Sequence, residues 1–331
     1  MRAVAARLAL AAGTLVVGLW VVEKTLDVIG FEYRPMSVEI GEGVHDARYY
    51  HSFTDNAFVY DPRLIWRPRP DHGIFNRQGL RGAVLAPGGE RERPLVITIG
   101  DSNTLGWAGA DGANWPATAG RVWRHAGVAV EVVNAGVWGY SSFQGVERMR
   151  EVLAYRPDVV LVSFGANDAH RVSRSDREFA GHPGFLPGLR RRLGRLRLTQ
   201  LLMRVEHRWV GRSAELEPRV DLEEYRRNLA EIAALGREAG ARVVFLTRPF
   251  EGPVQHPLWW KNFGPAYNRA TVESAAAHEL PLVDLYTYFK GRDRYFADES
   301  HFTRAGHELA GRWVAEDLLP LVASIAGDRD G

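Results

Sequence analysis

The sequence predicts an α/β protein, a three-layer α/β/α sandwich around a central parallel sheet of about five strands, preceded by an N-terminal transmembrane helix. Three observations predict it. Short, uniformly apolar, β-branched runs recur after Pro94. Helix-length stretches separate those runs. One uncharged run near the N-terminus has no polar face.

That first run is LALAAGTLVVGLWVV, residues 8–22, preceded by Arg2 and Arg7. It falls short of the roughly 20 apolar residues a bilayer requires. Counting from Ala3 restores the length once Arg7 snorkels to the headgroups. Basic residues on the N-terminal side predict a cytoplasmic N-terminus and an exported remainder. A cleaved signal peptide is the rival, although Trp20-Val21-Val22-Glu23-Lys24 fits a small-residue cleavage site poorly, and Val28-Ile29-Gly30 is a late candidate. Either reading of residues 1–30 puts the rest of the chain outside the cytoplasm, in the periplasm or at the cell surface.

Residues 31–93 form a turn-rich lead-in, with Pro62, Pro68 and Pro70 interrupting any long element, expected to pack on the domain that follows. In residues 94–331 the runs PLVITIG (94–100), VEVVNAG (130–136), DVVLVSFG (158–165), RVVFLT (242–247) and PLVDL (281–285) read as strands covered on both faces. Helical stretches lie near 116–126, 143–155, 221–239 and 264–279, with a closing helix from Thr303 to about Ile325. An Arg-rich insertion at about 171–218 breaks the alternation, either as a solvated helix pair or as a segment that covers the site or touches anionic lipid.

Composition narrows the chemistry. A formal net charge of +2 gives no electrostatic footprint for nucleic acid. The absence of cysteine excludes disulfides, thiolate catalysis and zinc-thiolate sites. No GxxxxGK[ST] loop, HExxH helix or GxSxG elbow occurs.

The polar constellations gather where strands end, which is where a doubly wound sheet places its ligand. Gly100-Asp101-Ser102-Asn103 follows the first strand and would expose a serine hydroxyl at the sheet edge. Asn134-Ala135-Gly136, followed by Gly139, offers bare backbone N–H groups for close approach to a ligand. Gly165-Ala166-Asn167-Asp168 brings an amide donor to the same crevice. Asp298-Glu299-Ser300-His301 precedes the last helix, and an aspartate three residues before a histidine can hold the imidazole by Nδ1 while Nε2 faces a hydroxyl. Each piece alone is a common turn. In this order, at these places, they are specific.

With these four pieces the chain resembles the SGNH hydrolase family, also called GDSL esterases and lipases, over about residues 94–325. The resemblance implies a flavodoxin-like parallel sheet and a serine esterase that uses neither metal nor cofactor. It assigns Ser102 as nucleophile, His301 as base, Asp298 as its orienting partner, and Gly136 and Asn167 as oxyanion-hole donors beside the Ser102 N–H. Asn103 stands where many members have leucine. The stretch DPRLIWRPRPDHGIFNRQGLRG resembles, more loosely, the lead-in of exported bacterial members associated with cell-surface or exopolysaccharide acylation. The implied reaction removes, or transfers, short acyl groups such as O-acetyl esters on a surface carbohydrate. A non-catalytic glycan-binding or assembly protein on the same fold is the other class of reading.

Asp101, Asn103 and Asp168, beside the catalytic pieces, are candidates for contacting substrate, as are Trp107 and Trp138 after the serine and glycine loops. Trp259 and Trp260 either form a sugar-stacking platform or simply pack. Arg81 either approaches the site or ties the lead-in to the sheet. Metal binding by Asp298, His301 and His307 is disfavoured, because His307 falls about two turns into a helix.

Overall fold

The computed structural model describes residues 2–31, 57–61, 63–88, 91–106, 113–172, 175–181, 193, 196–210, 217–250 and 260–330. The chain divides into two compact units, one of residues 1–67 with 179–215 and the other of residues 68–178 with 216–331.

In the first unit α1 (Arg2–Val28) is long and apolar enough to cross a membrane. Its side chains from Arg2 to Val22 are all exposed. Strand β1 (Phe58–Asp61) pairs with β2 (Ile65–Pro68), their turn held by Asp61 Oδ1, which accepts from the N–H groups of Arg63 at 2.8 Å and Leu64 at 3.0 Å.

The second unit carries the sheet. Strand β3 (Leu95–Gly100) leads into the one-turn helix α2 (Ser102–Leu105), followed by α3 (Trp115–His125), β4 (Glu131–Asn134), α4 (Ser142–Leu153) and β5 (Val159–Ser163). The short strand β6 (Arg171–Val172) precedes α5 (Asp176–Gly181). Helix α6 (Arg197–Val210) belongs to the first unit, and β7 (Glu217–Pro218) returns to pair antiparallel with β6, Arg171 opposite Pro218. Then come α7 (Leu222–Glu238), β8 (Arg242–Leu246), α8 (Trp260–Ala277), β9 (Leu282–Val283), α9 (Leu285–Phe289) and α10 (Arg304–Asp330).

The five main strands are all parallel in the order β4-β3-β5-β8-β9. Residues of β3, β5 and β8 are buried almost throughout, as expected of strands covered on both faces. Val96, Val159, Leu161, Val244 and Leu246 share a core with Trp115 and Trp123 of α3 and Val314, Leu318 and Val322 of α10. Against the other face lie α4 and α7, where Gly145 meets the Phe164 ring and Gly236 meets Val243.

Local chemistry starts the helices. Asn114 accepts from Ala117 N–H at 2.9 Å, with Pro116 in the first turn of α3. Ser141 and Gln144 form a capping box on α4, and Asp221 accepts from Glu224 N–H at 2.7 Å on α7. The last strand is shorter than the apolar run predicts. Asp284 takes hydrogen bonds from Thr247 Oγ1 at 2.7 Å and Thr287 N–H at 3.1 Å, so the chain turns into α9 at Leu285.

Helix α10 crosses α3 closely. A Cβ on Gly311 would lie 2.6 Å from the Trp115 carbonyl oxygen and 2.5 Å from Thr118 Cβ. Nearby, Trp123 Nε1 donates to the Ala315 carbonyl at 2.9 Å. Gly311→Val is therefore expected to lose about 1–3 kcal/mol through overpacking. The loss would be read as a lower urea midpoint, and an unchanged midpoint would contradict this packing.

Candidate active site

The candidate site forms where β3 and the loop before α10 meet. Ser102 is the first residue of α2 and is 4% exposed. Its turn is tight: a Cβ on Gly100 would come within 2.2 Å of Thr104 Oγ1 and 2.6 Å of the Ser163 carbonyl, so only glycine fits. The Ser102 hydroxyl lies 2.8 Å from His301 Nε2. On the far side of the ring, His301 Nδ1 lies 2.7 Å from Asp298 Oδ2 and 2.9 Å from Oδ1. With Nδ1–H donated to the carboxylate, Nε2 is the acceptor for the serine proton.

Asp298 also accepts from Ser300 N–H at 2.9 Å and His301 N–H at 2.8 Å. Partial desolvation raises its pKa, but the His301 hydrogen bond and charge and these backbone donors outweigh that and hold it at about 2.

The oxyanion side differs from the sequence expectation. Gly136 N–H is not directed at the serine, since it donates to Asn134 Oδ1 at 2.9 Å. Glycine is needed there because a Cβ would sit 2.6 Å from Leu105 N, against the nucleophile's own helix. Gly139, three residues on, has φ +74° and an N–H that makes no hydrogen bond among the described residues. Asn167 Nδ2 donates to the Tyr140 carbonyl at 3.0 Å, which sets its amide beside that loop. Val137 N–H donates to Gly100 O at 3.0 Å and ties the same loop to the nucleophile turn.

Several candidates for substrate contact prove to be internal supports. Asp101 is fully buried, its Oδ1 accepting from Asn103 N–H and its Oδ2 from Arg248 Nε, both at 2.8 Å. Asn103 Oδ1 accepts from Phe302 N–H at 3.1 Å. Asp168 is fully buried and accepts from the N–H groups of Ser142 at 2.8 Å and Gly165 at 3.0 Å. Burial pushes Asp168 up to about 7, against the Ser142 hydrogen bonds and the Arg219 charge. Arg81 pairs its backbone with Asn134 and donates from its guanidinium to the Leu105 carbonyl at 2.7 Å, so it ties the lead-in to the sheet and closes α2. Trp138 is buried in the loop before Gly139. Trp107 and Trp259 lie outside the described residues, and Trp260 opens α8. His307 is buried within α10, and no group of three or more potential metal ligands occurs among the described residues.

Two arginines that the motifs did not single out hold the site. Arg248 donates to Asp101, to the Ser300 carbonyl at 2.7 Å and to the Pro249 carbonyl at 2.7 Å. Arg219 pairs with Asp176 at 2.8 Å and donates to the Gly139 carbonyl at 2.7 Å, while Ser141 Oγ donates to the same Asp176 carboxylate at 2.5 Å. Arg248 stands just past the end of β8, and a charged residue following the buried apolar run Val243–Leu246 is its one sequence signal.

The GDSL-like lipase/acylhydrolase family matches residues 98–309. Among solved structures, the chain is similar to a lipase/acylhydrolase from Enterococcus faecalis at 24% identity and TM-score 0.49, over 69% of this chain and 96% of that one. It is also similar to an acetylxylan esterase from Geobacillus stearothermophilus at 19% identity and TM-score 0.47, over 68% and 94%. No protein of curated function matches it.

Two expectations follow from this geometry. Arg248→Met leaves the Asp101 carboxylate buried without its cation and should cost about 3–5 kcal/mol in urea unfolding; a loss well under about 1 kcal/mol would mean the pair does not hold the fold. Because the Asp298 pKa is depressed in the folded protein, its stabilisation is present above the unfolded value of about 3.9 and is lost as pH falls through about 2. The gap in urea midpoint between wild type and Asp298→Ala should therefore narrow as pH drops from about 5 to about 2.5. A gap that stays constant or widens would contradict the low value.

Proposed function

Because this chain belongs to the GDSL-like lipase/acylhydrolase family, we propose that it is a serine esterase acting on short acyl esters, specifically O-acetyl groups on a cell-surface carbohydrate. The observation that carries the proposal is the continuous relay from Ser102 Oγ through the His301 ring to Asp298, with contacts of 2.8 and 2.7 Å. A protein that only binds glycans has no need of this relay.

In the proposed reaction His301 Nε2 takes the Ser102 proton as Oγ bonds to the ester carbonyl carbon. The tetrahedral oxyanion is met by the N–H groups of Ser102 and Gly139 and by the Asn167 amide. Gly139 replaces Gly136 in this role because the Gly136 N–H is committed to Asn134, whereas the Gly139 N–H makes no hydrogen bond among the described residues and Arg219 anchors its carbonyl. Collapse breaks the ester C–O bond, and the proton on His301 passes to the departing alcohol. Water, giving its proton to His301, then cleaves the acyl-serine and regenerates the hydroxyl. Aspartate 298 keeps the imidazole in the required tautomer throughout.

Support for a small acyl group comes from the surroundings of the nucleophile. Ser102 is almost buried, and the neighbouring loop contributes the buried side chains of Trp138 and Tyr140. Support for a substrate outside the cytoplasm comes from α1, whose basic end, Arg2 and Arg7, favours a cytoplasmic N-terminus.

The test is hydrolysis of p-nitrophenyl acetate, butyrate and octanoate by the full chain in detergent. Acetate should turn over fastest, and Ser102→Ala should abolish the activity. Asn167→Ala should lower kcat by about 10²–10³ with KM little changed. Turnover that appears only when a carbohydrate acceptor is added would assign acyl transfer in place of hydrolysis. Activity that survives Ser102→Ala would refute the serine mechanism.

A further inference from the structure

Helix α6 turns part of its apolar face outward, at Leu202 and Val205, while Leu198 is half-buried. Leu198, Leu202 and Val205 recur at the spacing that lines one face of a helix. Leu202 is 62% and Val205 48% exposed, whereas Gln200, on another face, is 4% exposed. A helix facing water has the reverse arrangement.

Its position within the first unit gives this face an occupant. At about 1.5 Å per residue, residues 3–22 of α1 cover the roughly 30 Å of a hydrocarbon core, so Glu23 falls at the headgroup level on the far side from Arg2. There the Glu23 carboxylate accepts from the backbone N–H groups of Arg197 and Leu198, both at 2.8 Å, which are the first two residues of α6. Those groups have no partner within the helix, and a carboxylate at a helix N-terminus also meets the positive end of its dipole. Arg197 Nε lies 3.9 Å from Asp27 Oδ1, and the Arg204 guanidinium lies 5.8 Å from the centroid of the Phe31 ring. Helix α6 is thus joined to α1 at the level where α1 leaves the apolar phase. The sequence just before α6 carries Arg190, Arg191, Arg192 and Arg195, a charge pattern that matches anionic headgroups.

We infer that α6 lies in the headgroup–acyl boundary of the bilayer that α1 spans, with Leu202 and Val205 directed into the acyl region. This rests on α1 being a retained anchor, and the Glu23 cap is itself a reason for retention: cleavage at 28–30 would strip the start of α6 of both carboxylate contacts.

The chain has no cysteine, so single labels can be placed in the full-length protein without background. Leu202→Cys, Val205→Cys, Val16→Cys and Asp317→Cys are each labelled with the fluorophore NBD and reconstituted in phosphatidylcholine/phosphatidylglycerol nanodiscs. Lipids carrying a nitroxide on the upper acyl chain should quench positions 202 and 205 about twofold or more relative to position 317, which is exposed on α10. A nitroxide deep in the acyl chain should quench position 16. If position 16 is quenched but 202 and 205 behave like 317, the anchor stands and the α6 inference is overturned. If position 16 is not quenched, the anchor reading fails and this inference with it. Blue-shifted emission at 202 without lipid quenching would mean that protein covers the face, and would likewise overturn it.

Discussion

The arrangement of the active site depends on one buried ion pair. Asp101 and Arg248 face each other at 2.8 Å with almost no exposure, one just before the nucleophile and the other just past β8. Burying two charges costs free energy that their attraction only partly returns, so net stability is a poor explanation for the pair. Position is a better one. The same guanidinium donates to the Ser300 carbonyl, while Asn103, on the other side of Ser102, accepts from Phe302 N–H. His301 lies between those two residues. Both peptides that flank the base are therefore fastened to the turn that carries the nucleophile, and the 2.8 Å contact between Ser102 and His301 is imposed from both sides.

A second buried pair does the same for the oxyanion side. Arg219 and Asp176, both nearly fully buried, join the loop after β4 to the segment around β6 and β7 through Gly139 O and Ser141 Oγ. Asn167 completes the connection by donating to Tyr140 O, and Asp168 holds the β5 end to the start of α4. The groups proposed to meet a developing negative charge are thus held by bonds made before any substrate arrives. That is the condition under which donors lower a barrier without a reorganisation cost at the moment of reaction.

Much of this was legible in the sequence. The parallel strands appear as apolar runs because burial on both faces removes the polar alternation that marks other sheets. The proposed triad is legible because Ser102 follows a strand directly, and Asp298 and His301 are local to each other. The supporting network was not, because Arg248 and Asp101 are 147 residues apart and only the strand order brings them together. Gly136 shows the same limit in another form. A glycine in the right loop signals that no Cβ is tolerated, but not whether the excluded volume belongs to a ligand or, as here, to the backbone of α2. Asp101, Asn103 and Asp168 were read toward substrate because they neighbour catalytic residues. Their oxygens are instead taken up by the Arg248 guanidinium and by the N–H groups of Phe302 and Ser142, from distant segments that local pattern does not register, together with the nearby N–H groups of Asn103 and Gly165.

The contacts of Asp298 explain how a partly exposed carboxylate can orient the proposed base, His301. Its side chain is 44% exposed, so solvent screens its attraction to the imidazole. Charge alone would be a weak means of fixing a ring. Its loop, however, is closed at the base by a bridge between Phe296 and Phe302 and by Ala297 N–H donating to His301 O at 2.8 Å. Inside that closure the carboxylate accepts from Ser300 N–H, from His301 N–H and from the ring Nδ1. Main chain and side chain of the same histidine are held by one acceptor, so the imidazole cannot rotate away without also breaking the turn. The three-residue spacing from Asp298 to His301 permits this, since a longer separation would leave the ring contact without the backbone ones.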